Sequence, residues 1–207
     1  IDDESIGKIG QWPWPRAEYA KLLVALSDGP QKVGIDVLFA EQSRVGKRDD
    51  DEFVRSLEAS SYLVVLASRN ADGVKPLAEL LESNRVTSGD VSLLVDPDGV
   101  VRRFVFDQTE GSFAQILAER RSDMIPSSGR IVWAGPPGTF RRVPFWRVLE
   151  DEKLAETFEN KIVLVGSTAT DLHDEQRTAI DRGNAMPGVE IQANLVNMFA
   201  SGASYSE

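Results

Sequence analysis

The chain reads as an α/β domain with three layers, a mostly parallel sheet carrying an antiparallel hairpin, and helices on both faces. Three observations predict this. Continuous apolar runs such as YLVVLA (62–67) and KIVLVG (161–166) are strand-sized and lack polar alternation, as expected of strands covered on both faces. Helix-period stripes fall between those runs, so the two kinds of element alternate. The run VSLLVDPDGVVRRFVF (91–106) holds two β-rich segments around DPDG, where Pro presets a turn and Gly supplies the left-handed position, so it predicts a hairpin.

Taken in order, the first helix follows the dense segment WPWP (12–15). Tyr19, Leu22, Leu23 and Leu26 form an i, i+3, i+4, i+7 stripe over residues 16–28. Pro15 suits the start of that helix and Gly29–Pro30 its stop. Trp12 and Trp14 fit core packing better than a headgroup anchor, because the following stripe points inward. KVGIDVLFAE predicts a buried strand over Val33–Phe39, and RDDDEFVRSLEAS a helix whose Asp49–Glu52 complement its positive end. SFAQILAER predicts another helix, RIVWAG and KIVLVGST further buried strands with a short helix between, and GVEIQANLVNMFASG a closing amphipathic helix. In that last helix Ile191, Leu195, Met198 and Phe199 form the stripe, Gly202 the stop, and Asn194 and Asn197 are expected to face solvent or a partner subunit.

The 207 residues suit one domain, and the mix of 42% hydrophobic with 27% charged residues is that of a globular chain. A formal charge of −10 argues against a protein built to hold phosphate backbones, so nucleic acid is not an expected partner. The paired arginines at 102–103, 120–121 and 141–142 read as solvated faces rather than an anion site. There is no cysteine, which removes disulfides, thiolate metal sites and cysteine nucleophiles. No apolar run approaches the ~20 residues of a membrane helix, and IDDESIG is no signal peptide.

WAGPPGTF follows a predicted strand and is glycine-rich, yet Pro136 and Pro137 offer no N–H and no Lys follows, so it is not a phosphate loop. VGSTATDLHD lacks a dinucleotide fingerprint. That loop does gather Ser167, Thr168, Asp171 and the single histidine, His173, at a strand's carboxyl end, where open α/β sheets hold ligands. Asp36 interrupts a buried strand, and Asp2 and Asp3 open the chain. Such a nest of carboxylates and hydroxyls suits a cation or an amine. The competing reading is that these groups cap helices and satisfy loop backbone.

Three ordered stretches, IDDESIGKIGQWPWPRAEYAKLL, VGIDVLFAE and KIVLVGSTATDLHDEQRTAIDRGNAMPGVEIQANLVNMFASG, with DPDGVVRRFVF and GPPGTF between them, together resemble the CHASE sensor domain of the second type. The resemblance spans essentially the whole chain. It implies a sensory ectodomain over residues 1–207, without catalytic residues, cofactor or metal, lying outside the cytoplasmic membrane of a bacterium. It further implies flanking membrane helices, a first strand of which Ile1 is the end, and a cytoplasmic output domain such as an adenylate cyclase, a histidine kinase or a serine/threonine kinase. A small-molecule ligand, unidentified for the family, is expected at Asp2, Asp3, Asp36, Ser167, Thr168 and Asp171, and a homodimer is a possible assembly. Two other classes stay open: an exported metal-dependent hydrolase using Asp36, Asp171 and His173, and a ligand-free spacer that sets dimerisation.

Overall fold

A computed structural model describes residues 1–26, 29–105, 111–120 and 125–202. Of the expected elements, the last two positions of the first stripe helix, Phe106 at the end of the hairpin, Arg121 and the tail after Gly202 lie outside those residues.

A short helix α1 (Asp3–Ile9) precedes the first stripe helix, α2 (Arg16–Leu26), and has no signature in the sequence because seven polar-rich residues carry no stripe. β1 (Lys32–Asp36), α3 (Lys47–Ala59) and β2 (Leu63–Ser68) follow as expected, though β1 stops short of Phe39. β3 (Val86–Asp90) is an addition to the expected strands, since VTSGD is a polar edge strand with no apolar run. With β7 (Ile162–Gly166) these strands make a wholly parallel sheet in the order β3-β2-β1-β7.

The hairpin forms as β4 (Leu94–Val95) and β5 (Val100–Val105), with Gly99 at φ 79° and its N–H donating to the Asp96 carbonyl at 2.8 Å. It builds a second, mixed sheet rather than extending the parallel one. That sheet runs β4-β5-β8-β9, where β8 is Glu175–Thr178 and β9 Met186–Pro187, and β6 (Ser128–Arg130) pairs the far end of β5. Arg102 and Arg103 brace the hairpin turn through Asp96 and Asp98 instead of pointing free into solvent.

The remaining helices are α4 (Phe113–Leu117), α5 (Phe145–Glu150) and α6 (Gly188–Ser201). One core lies between the parallel sheet and α2, α3 and α5, joining Val33, Ile35, Leu66, Tyr19, Phe53 and Phe145. The other lies on the opposite face, where Val65 meets Phe113 and Leu117 of α4, Ile191 and Leu195 of α6, and Val101 and Phe104 of the second sheet. Helices therefore cover both faces of the parallel sheet, and α4 and α6 also carry the second sheet. Gly34 in β1 permits the close approach of α4: a Cβ there would lie 2.6 Å from both Phe113 and Leu117.

RIVWAG is not a strand beyond Arg130. Residues 131–134 run irregularly along α6, and their N–H groups are claimed elsewhere: Ile131 donates to the Arg102 carbonyl, Val132 to Met198 Sδ and Ala134 to Asn194 Oδ1. Ile131 thus makes the last backbone bond to β5, and beyond it the donors of Val132 and Ala134 are taken by α6 side chains, so the ladder ends there.

Candidate functional site

β1 and β7 are neighbours at the sheet's centre and edge, paired in parallel so that Asp36 stands opposite Gly166 at their carboxyl ends. Gly166 is small because the first turn of α6 comes down on it: a Cβ there would meet Val189 at 2.6 Å and Asp36 Cβ at 3.2 Å. Asp36 is thus a half-buried carboxyl close to the start of α6, and no described residue donates a hydrogen bond to it. Burial, and then the neighbouring Asp174, push its pKa up to about 7. Asp174 lies at the rim with much of its surface in solvent, and its own pKa is raised because the carboxyl is partly withdrawn from water. Its two carboxylate oxygens lie 2.9 Å from where a Cβ of Gly188 would stand, so it rests on the first residue of α6. Among the described residues no side chain caps that helix start; Gly188 N donates to the Asp174 carbonyl at 2.7 Å, and the helix dipole there favours negative charge.

The expected site residues divide. Ile1 lies along the open edge of β7, its backbone nitrogen donating to Gly166 O at 2.8 Å and its carbonyl accepting from Thr168 N at 2.8 Å and Ala169 N at 3.1 Å. This brings Asp2 and Thr168 to the same strand ends as Asp36. Asp2, however, is occupied as the cap of α1, accepting from Ser5 N at 2.9 Å. Asp3 is exposed in the first turn of that helix. Ser167 follows Gly166 just past the end of β7, and its hydroxyl is buried with no hydrogen-bond partner among the described residues. Asp171 and His173 are exposed on and just after a short 3-10 turn, Thr170–Leu172, with His173 at φ 50°. Among the described residues no three His, Asp or Glu side chains are grouped to hold a metal ion.

Three functional-looking residues escaped the sequence reading. Asp174 sits one place after the histidine in a polar loop, and only the return of α6 over the sheet sets it beside Asp36. Glu190, 4% exposed, reads as an ordinary first-turn acid. It instead accepts from Gly138 N at 2.8 Å and Thr139 N at 3.0 Å and pairs with Arg142, tying the GPPGTF loop to α6. Asn194, expected to face outward, is fully buried; it accepts from Ala134 N at 2.9 Å and donates to the Glu190 carbonyl at 2.9 Å. Asn197 is exposed, and Leu195 and Met198 are buried, as the stripe requires.

Fold and edge together describe a mixed α/β domain whose parallel sheet ends in a carboxyl pair, without a cationic partner among the described residues, at the start of a long helix. The chain belongs to the CHASE2 domain family, whose model matches residues 1–206. This is a family of sensor domains of signalling receptors, sensory rather than catalytic and typically extracellular. Comparison with curated proteins and with solved structures found no match. Among the described residues no helix is long and apolar enough to cross a membrane.

Proposed function

We propose that the domain is the extracytoplasmic input module of a bacterial membrane receptor. It takes up a small cationic cue at the Asp36–Asp174 edge, bordered by Thr168, and passes the change through α6 to a cytoplasmic cyclase or kinase domain. The observation that supports this reading is the Asp36 carboxyl: half-buried, without a hydrogen-bond donor among the described residues, and raised to about 7 by burial and by Asp174. A cation or protonated amine arriving there displaces the proton, so its affinity rises with pH through the neutral range. The Asp174 carboxylate lies against Gly188, the first residue of α6, and Asp36 and Val189 close on Gly166 together, so charge at the edge biases how that helix sits. A cue acts only by its different affinity for two arrangements, and this contact is where the difference arises.

The test uses the full-length receptor, with cyclase or kinase output read against divalent cations and small primary amines at pH 6 to 8. Asp36→Asn, which keeps the shape and removes the charge, is expected to hold output at one level and abolish the response. A variant responding with the parent's amplitude and midpoint would refute the reading.

A further inference from the structure

We propose that the cleft between segment 133–136 and loop 179–182 is a second binding site, for a flat apolar or aromatic molecule carrying one anionic group. This goes beyond the cationic edge and does not rest on it. The cleft has a volume of about 520 Å³ and is lined by Trp133, Gly135, Pro136, Ala179, Ile180 and Arg182. That volume falls within the ~300–1,000 Å³ of small-molecule sites, and the lining has their composition: apolar walls and one placed polar group.

Arg182 is that group. It makes no ion pair or hydrogen bond among the described residues. The carboxylate beside it in sequence is already committed: Asp181 pairs with Arg177 at 3.6 Å and accepts from Gly183 N at 2.9 Å and Thr178 N at 3.3 Å. A permanently charged guanidinium with no carboxylate partner among the described residues, in one cleft with an indole, suits a carboxylate on an aromatic body, since a guanidinium holds a carboxylate by two parallel bonds and the indole offers a surface for stacking.

Both walls are braced by hydrogen bonds of their own, so little ordering opposes binding. Segment 133–136 is held to α6 by Ala134 N on Asn194, and Gly138 and Thr139 just beyond it are held by Glu190. Loop 179–182 is held by the turn around Asp181 and rooted in β8, which pairs with β5 and β9. β9 runs directly into Gly188 of α6. A molecule bridging the two walls therefore spans two segments that are each fastened to the N-terminal half of the same helix.

The test is direct binding to the 207-residue chain by calorimetry, with 2-naphthoate, its neutral counterpart 2-naphthylmethanol and inorganic phosphate as probes. 2-Naphthoate is expected to bind the parent, and Arg182→Gln to weaken it about tenfold or more, as loss of a charged hydrogen bond does. The alcohol is expected to bind parent and Arg182→Gln alike. Because Arg182 is exposed, Arg182→Gln should unfold at the parent's temperature, which separates lost binding from lost folding. The proposal is overturned by no binding of 2-naphthoate to the parent, by equal binding to parent and Arg182→Gln, or by phosphate competing as well as 2-naphthoate does. Binding is read without any signalling output, so failure here leaves the receptor reading of the cationic edge untouched, and the reverse also holds.

Discussion

Trp14 is 6% exposed, its indole N–H donates to the Gly10 carbonyl at 2.7 Å, and its ring centroid lies 4.9 Å from that of Phe145. Trp12 packs edge-on against it at 5.4 Å but remains half-buried. Trp14 is a core residue, and Trp12 is packed against that core from a half-buried position. Trp14→Ala should cost about 3–5 kcal/mol, as large-to-small core changes do, and Trp12→Ala distinctly less. Denaturant unfolding checks this, and equal losses for the two variants would contradict it. The inward direction of Trp14 was legible because the next four stripe residues announce a buried face. The inward direction of Asn194 was not: an asparagine in a helix looks like surface until a second segment supplies an N–H for it to accept.

Between elements, α2 and α3 are joined by a buried polar clamp. Arg16, 6% exposed, pairs with Asp50, 1% exposed, at 2.7 Å. Asp49 accepts the first amides of α2, from Arg16 N at 2.7 Å and Ala17 N at 2.8 Å. The acidic run at the start of α3 therefore serves a neighbouring helix as well as its own dipole. Breaking a buried pair strands the remaining charge, so Arg16→Met should lose about 3–5 kcal/mol. Arg16→Met/Asp50→Leu should recover much of that loss, because it strands none. Urea denaturation of both variants and the parent decides it, and a single variant within ~1 kcal/mol of the parent would show that the clamp contributes little. Of the helices, α2 and α6 were readable from their periodicity while α1 was not, and β1, β2 and β7 were readable from their apolar runs. β3 and the irregular course of residues 131–134 were not, since pairing with a neighbour, rather than local composition, defines an edge strand.

Over the whole molecule, two carboxylates inside the fold set opposite slopes of stability against pH. Burial alone would raise Asp49, but hydrogen bonds from Ser43, Ala17 and Arg16 outweigh it and hold the group below 3.8. Its contribution is present above that ordinary value and is lost as the pH falls and acid protonates the folded group. Asp36 has the opposite sign. Its folded-state pKa of about 7 exceeds the ordinary 3.8, so the folded chain holds the proton more tightly, and stability falls as pH rises from about 4 through about 7. Maximum stability is therefore expected in mildly acid solution. Asp36→Asn should flatten the decline toward pH 8, with a gain there on the order of a few kcal/mol, since each tenfold difference in proton affinity is worth ~1.4 kcal/mol. Thermal unfolding of parent and variant between pH 4 and 8 measures this, and parallel curves would refute it.

The α/β class, the hairpin and the main helices and strands were all present in the order of residues, because these follow from period, turn chemistry and apolar runs a few residues long; that β1 ends at Asp36 instead of running to Phe39 was not. Folding in three dimensions had to settle that the hairpin builds a second sheet, that Asp174 comes beside Asp36, and that Asn194 and Glu190 lie inside. Each of those depends on which distant segment comes to rest on α6. The N–H groups that hold Asn194 and Glu190 inside come from 60 and 52 residues away in the chain, beyond the reach of any local pattern.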